Sequence, residues 1–90
     1  MSIPPEESLI EYPCHFPIKV MGVAHENLVS ELTEIVLGFD STFDDSTIEH
    51  RPSKQGNYLG LTYRVWVTSR EQLDDLYRTL HAHHLVRVVL

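Results

Sequence analysis

Three histidines near the C-terminus are the residues whose type and spacing best suit metal chemistry. His81, His83 and His84 lie within four positions of one another, and imidazole is a common zinc ligand. Three ligands within one turn rarely converge on one ion without a partner from elsewhere, and histidine at a helix C-terminus is favoured by the helix dipole anyway. We therefore predict that these residues end a helix and that the chain binds no metal.

Residues that could act in acid–base or nucleophilic catalysis do not form a recognisable set. Cys14 and His15 are adjacent, but neighbouring side chains on an extended segment point in opposite directions and cannot meet. The pairs Asp44-Asp45 and Asp74-Asp75 fall in a predicted turn and on the outer face of a predicted helix, where carboxylates are solvated. The sequence therefore predicts a protein that is not an enzyme and has no cofactor.

Charge and composition restrict the class of partner. The 90 residues include 13 acidic and 7 basic ones, for a formal net charge of -6, which repels phosphate backbones and anionic membranes. No stretch approaches the roughly 20 apolar residues of a membrane span, and a single cysteine forms no internal disulfide. We expect a cytoplasmic protein with no membrane segment and with nucleic acid disfavoured as a partner.

The spacing of apolar residues predicts the elements of the first half of the chain. Alternation from Phe16 to Met21 predicts a strand that ends at Gly22. Helical spacing then begins at about Glu26, and Gly38 offers a stop.

The second half of the chain begins with a second strand, and a strand, a helix and a final strand follow it. A weak strand over residues 47–51 leads into a hairpin loop in which Gly56 supplies a positive φ, and the clearest strand of the chain follows. Ser69 with Gln72 three residues later is a capping-box pattern that predicts a second helix. A β-branched run over residues 85–90 predicts the last strand.

This order of elements predicts the fold. Strand, helix, strand, strand, helix, strand is the ferredoxin-like βαββαβ plan, an α+β fold with a four-stranded antiparallel sheet and two helices on one face. We assign residues 11–90 to one such domain and residues 1–10 to a mobile leader. The C-terminal strand should lie beside the first strand, and the first beside the third.

Several short runs also resemble a known family. They are Glu11-Tyr12-Pro13 leading into Phe16, Lys19-Val20-Met21-Gly22, Pro52-Ser53 with Gly56-Asn57-Tyr58, and Val86-Arg87-Val88-Val89-Leu90. In combination they are similar to the YbeD-like family of small uncharacterised bacterial proteins. The resemblance implies a fold related in shape to ACT regulatory domains, which bind small effectors, often at subunit interfaces. Members commonly read Ser-Lys-Gly-Asn-Tyr in the hairpin, whereas here Lys54 lies one place earlier and Gln55 precedes Gly56.

The sheet face away from the helices is the predicted binding surface. Alternation places there Lys19, Met21, Arg51, Tyr58, Arg64, Trp66, Arg87 and Val89. The same alternation turns towards the helices Ile18, Val20, Leu61, Tyr63, Val65, Val86 and Val88. We predict a cationic strip of Lys19, Arg64 and Arg87 beside Met21 and Trp66. The alternative is that the basic side chains only shield apolar residues with their stems.

The sequence favours a regulatory or adaptor module that binds a small effector or a protein partner and that forms a homodimer. The candidate binding residues are Lys19, Met21, Gly22, Arg64, Trp66 and Arg87, and the candidate hairpin motif is Ser53, Gly56, Asn57 and Tyr58. The alternative is an RNA-binding RRM-like module, because RRMs share this topology and stack bases on sheet aromatics. The third strand lacks a convincing RNP1 pattern, however, and the net charge opposes it.

Overall fold

The structure is a computed structural model that describes residues 11–90, so the predicted leader over residues 1–10 lies outside the described residues. The elements, in chain order, are β1 (Cys14–Val23), α1 (Leu28–Phe39), β2 (Glu49–Pro52), β3 (Tyr58–Val67), α2 (Arg70–Ala82) and β4 (Val86–Val89). A single 3-10 turn, Asp45–Thr47, precedes β2.

The four strands form one antiparallel sheet in the order β2-β3-β1-β4. The chain therefore crosses over α1 to reach the far side of β3, and it crosses over α2 to return beside β1. Both helices pack against the same face of this sheet. The predicted ferredoxin-like α+β fold and the predicted neighbours of β1 are confirmed.

The core lies between that face and the helices. Alternate residues of β3 are buried, as are the apolar stripes of the two helices. The fully buried side chains are Ile18, Val20, Leu28, Leu32, Val36, Leu61, Tyr63, Val65, Val67, Leu76 and Leu80. The phenol of Tyr63 lies 3.2 Å from Oγ1 of Thr33 and donates to the carbonyl of Val29. Burial raises the pKa of Tyr63, which keeps the phenol neutral beneath α1.

The ends of the helices follow the predicted signals with two differences. Ser69 is the N-cap of α2 and accepts a hydrogen bond from the N–H of Gln72, as predicted. The returning bond, however, goes to Thr68, whose N–H donates to Oε1 of Gln72 at 2.7 Å. Gly38 does not stop α1, because the helix continues to Phe39.

A β-bulge in β4 overturns part of the predicted facing of the last strand. Met21 faces Val88 and Gly22 faces Val86, which leaves Arg87 as the extra residue without a partner in β1. The extra residue reverses the alternation beyond it. Val88 is therefore exposed on the open face and Val89 packs against the core, the opposite of the prediction for both. Val86 faces the helices as predicted.

Candidate functional site

A shallow groove crosses the open face of the sheet, the face that the helices leave uncovered. Its volume is about 580 Å³, within the range of roughly 300–1,000 Å³ for small-molecule sites. It is lined by Pro17, Lys19, Val20, Met21, Glu49, His50, Arg51, Gly60, Leu61, Thr62, Arg64, Val88 and Leu90. Residues from all four strands therefore line the groove.

Gly60 produces the depression at the centre of the groove. It faces Met21 across one strand boundary and Arg51 across the other, and its lack of a side chain leaves a gap between those two. A Cβ built at Gly60 would lie 3.3 Å from the carbonyl oxygen of Arg51, its nearest neighbour, a tight contact that a shift of a few tenths of an ångström in β2 would relieve. Because Gly60 shares its face of the sheet with Met21 and Arg51, a larger side chain there would project into the groove and not into the core.

Three basic residues line this groove although the chain as a whole is acidic. They are Lys19, Arg51 and Arg64. Arg64 is paired with Glu49 at 3.4 Å, and both side chains are well exposed. Solvent screens such a pair, so it contributes little to folding and leaves the guanidinium accessible to an incoming anion.

Exposed apolar side chains gather on the same face. Within residues 11–90, the large apolar side chains left exposed are Met21, Leu37, Tyr58, Trp66, Val88 and Leu90. All except Leu37 belong to the open face or to its rim. Clustered exposed apolar surface beside polar groups marks an interaction site more often than scattered single residues do.

Trp66 lies near one end of this face rather than in the groove. Its indole packs edge-on against the ring of His15, with 4.8 Å between ring centroids. Its backbone N–H donates to the buried carboxylate of Asp40 at 2.9 Å. The ring of His15 therefore packs against the indole, and the bond to Asp40 fixes the backbone position of Trp66.

The structure brings only part of the predicted cationic strip together. Lys19 and Arg64 line the groove beside Met21, and Arg51 joins them. Arg87 is the bulge residue, and its guanidinium donates to the carbonyl of His84 at 2.9 Å. It is not among the residues that line the groove, which contains two of the three basic residues predicted for the strip.

Gly22 has a packing role in the structure, where it lies within β1, one residue before the end of that strand. A Cβ at Gly22 would lie 2.8 Å from Cδ1 of Leu28 and 2.8 Å from the carbonyl oxygen of Leu85. Only glycine lets β1 approach the start of α1 and β4 this closely.

The predicted hairpin motif forms a closed loop between β2 and β3. Gly56 has a φ of +76°, as predicted, and its N–H donates to the carbonyl of Ser53. The hydroxyl of Ser53 accepts from the N–H of Tyr58 at 3.1 Å, and the carbonyl of Asn57 accepts from the N–H of Ala24. These contacts support a structural role for the motif.

Glu31 from α1 joins the histidine cluster, which sequence spacing could not show. Glu31, His83 and His84 place ligand atoms within 4.8 Å of one another. Both ring nitrogens of His83 are engaged, however: Nε2 lies 2.8 Å from Oε1 of Glu31, and Nδ1 accepts from the N–H of Leu85.

The two histidine rings are stacked at 4.7 Å with only 24° between their planes. Nitrogen lone pairs lie in the ring plane, so nearly parallel rings do not aim at one ion. In this geometry the cluster joins α1 to the end of α2, and the absence of a metal site stays a prediction.

The other candidate catalytic residues are separated. Cys14 packs against the core whereas His15 lies on the open face beside Trp66, so the two side chains point apart as predicted. Asp44 caps the 3-10 turn by accepting from the N–H of Ser46. Hydrogen bonds from the Ser46 side chain and backbone hold the pKa of Asp44 below its ordinary value.

Neither helix described in residues 11–90 has the length and apolar character needed to cross a membrane. The fold and its open groove define a small ferredoxin-like α+β protein with one sheet face that the helices do not cover. Residues 7–90 match the family described as "Protein of unknown function (DUF493)". The chain belongs to this family, which confirms the resemblance to YbeD-like proteins.

Relatives span almost the whole chain. A UPF0250 protein of Bordetella pertussis is 64% identical over 89 residues, which cover 99% of this chain and 98% of that protein. A UPF0250 protein of Janthinobacterium sp. is 56% identical over 86 residues, or 96% and 94% of the two chains. One from Ralstonia nicotianae is 56% identical over 87 residues, or 97% and 90%. Their names assign no activity.

Proposed function

We propose that this protein is a cytoplasmic regulatory or adaptor module that works by binding and not by catalysis, and that its ligand or partner occupies the groove over Gly60. The observation that carries the proposal is the make-up of the open face. Three basic residues and a cluster of exposed apolar side chains surround one gap in the sheet surface of an acidic chain.

Two physical arguments support this use of the groove. Leaving several large apolar side chains in water costs free energy that burial against a ligand would recover. Basic residues grouped on one face of an acidic protein attract anions to that face. The net negative charge of the rest of the protein repels anions from its other faces. An RNA-binding function is disfavoured, because the net charge of -6 opposes a polyanion.

The test fills the groove without altering the core. Gly60→Val adds a branched side chain over the gap, at a strand position that suits β-branched residues. Gly38→Val is the matched control, because a Cβ at Gly38 meets no atom within 4 Å. Both variants should keep a cooperative thermal transition.

Each immobilised protein is incubated with bacterial cell extract, and retained metabolites and proteins are identified by mass spectrometry. We expect at least one compound or protein to be retained by the native protein and by Gly38→Val but not by Gly60→Val. Identical retention by all three proteins would overturn the proposal. If Gly60→Val does not fold, Arg64→Glu replaces it, since an exposed charge reversal leaves the core intact.

A further inference from the structure

The groove has two chemically different halves. On the β4 and β1 side it is lined by exposed apolar side chains, Val88, Met21 and Leu90, with Lys19 as the one basic residue on that side. On the β2 and β3 side it carries Arg51 and Arg64. The register fixes this division, because Val88 faces Met21, Met21 faces Gly60, and Gly60 faces Arg51 in one row across the sheet.

The groove has capacity for an anion. Among the described residues, Arg64 shares the carboxylate of Glu49, whereas neither Arg51 nor Lys19 forms a salt bridge. One acidic side chain, that of Glu49, thus faces three basic side chains in the groove. An arginine without a carboxylate partner presents its planar set of donors to an oxyanion.

The two halves lie within reach of one small molecule. From β4 to β2 the row crosses three strand spacings of about 4.8 Å, which gives about 14 Å. A cation-lined end, a gap at Gly60 and an apolar end in one line match a molecule with an anionic head and an apolar tail.

We infer that the ligand of the groove is a medium-chain carboxylate, an inference that rests on the proposed function. The carboxylate binds at Arg51, the basic residue that faces Gly60, with Arg64 four positions farther along β3. The first carbons of the tail lie over Gly60, and the rest of the tail covers Met21 and Val88. Transfer of the tail out of water drives binding, and the arginines fix its direction.

Equilibrium dialysis with radiolabelled decanoate, below its micellar concentration, tests this directly. Unlabelled decanoate should displace the bound label, whereas acetate lacks the tail and decyltrimethylammonium carries the wrong charge, so neither should displace it at the same concentration. Displacement by decyltrimethylammonium as effective as that by decanoate would overturn the assigned anion. Displacement by acetate would contradict the inference that the apolar tail of the ligand is needed for binding.

Matched substitutions test each half. We expect Arg51→Gln and Met21→Ser each to weaken decanoate binding at least tenfold. Arg70→Gln, at the start of α2, and Leu37→Ser, on α1, are the controls and should bind like the native protein; Leu37 is exposed to a similar extent as Met21, 41% against 46%. Equal binding by all four variants would overturn the inference.

The two proposals can fail separately. If decanoate does not bind while Gly60→Val still abolishes retention of a compound from extract, the ligand class is wrong and the groove function stands. If decanoate does not bind and Gly60→Val changes nothing in extract, the proposed function is wrong as well.

Discussion

The backbone N–H of Trp66 donates a hydrogen bond to Oδ2 of Asp40 at 2.9 Å, which ties the end of α1 to β3. Oδ1 of Asp40 accepts two more bonds, from the N–H and the hydroxyl of Thr42. Burial raises the pKa of Asp40, but the bonds from Thr42 and Trp66 outweigh it and hold the pKa below its ordinary value. The carboxylate is therefore ionised and structural.

Asp40→Asn should lower the free energy of unfolding by about 1.5–3 kcal/mol, the range for hydrogen bonds to charged groups. An amide offers an acceptor on one side only, so the donors of either Trp66 or Thr42 lose their partner. Urea denaturation measures the change, with the exposed Asp74→Asn as the control. A midpoint equal to that of the control would show that the Asp40 contacts do not stabilise the fold.

The cost of Asp40→Asn should depend on pH. Because the folded-state pKa lies below the ordinary value of 3.8, the contribution of Asp40 is fully present above that value and is lost as the pH falls through the folded-state pKa. The difference in free energy of unfolding between the native protein and Asp40→Asn should therefore become smaller in acid. Asp44, whose pKa is also lowered, is present in both proteins and cancels from the comparison. A difference that widens in acid would contradict this assignment.

Gln72 should contribute to stability beyond its place in the capping pattern. Its Oε1 accepts from Thr68 and its Nε2 donates to the carbonyl of Phe39 at 2.9 Å, so it joins α2 to the last residue of α1. We expect Gln72→Met to cost about 1–3 kcal/mol and Ser69→Ala about 0.5–2 kcal/mol. Chemical denaturation checks both values, with Gln55→Met in the hairpin loop as the control. If Gln72→Met were as stable as that control, the hydrogen bonds that join Gln72 to α1 would not contribute to stability.

Gly22→Ala should be destabilising because its Cβ has no room against Leu28 and Leu85. Forced overpacking of this kind costs about 1–3 kcal/mol. Gly38→Ala, in an open part of α1, should instead gain about 1 kcal/mol. The two melting temperatures should therefore move in opposite directions. An unchanged melting temperature for Gly22→Ala would mean that β1 and α1 can separate at little cost.

Arg87→Glu should leave decanoate binding unchanged, because the bulge removes this residue from the register of the groove. Arg64→Glu makes the same change in net charge within the groove and should abolish binding. Equilibrium dialysis of the two variants compares them directly. Equal losses would mean that the field of the whole protein, and not contact in the groove, determines affinity.

Local patterns in the sequence predicted the elements well where one face of an element is apolar and the other polar. The alternation in β3 identifies Leu61, Tyr63 and Val65 as core residues, and all three are buried. Ser69 was recognisable as a cap because the bond it makes spans only three residues. The order of strands followed from the sequence of elements and the handedness of crossovers.

Features that depend on contacts between distant segments were not predictable in this way. The last strand is almost uniformly apolar, so its pattern is the same with or without a bulge at Arg87. The pairing of Glu31 with His83 joins residues 52 positions apart. The groove itself arises from a missing side chain at Gly60, and a glycine in a strand does not reveal from sequence which neighbours will surround it.

The short β2 strand also determines how another polypeptide can approach this sheet. All four of its residues, Glu49, His50, Arg51 and Pro52, are exposed, and Pro52 has no N–H to offer. Charged side chains and proline on an outermost strand oppose the addition of a further strand, and so does a bulge such as the one in β4 on the other side. Both edge strands of the sheet, β2 and β4, therefore oppose the addition of strands from other chains. The protein can thus expose an apolar groove without forming open-ended β-sheet polymers.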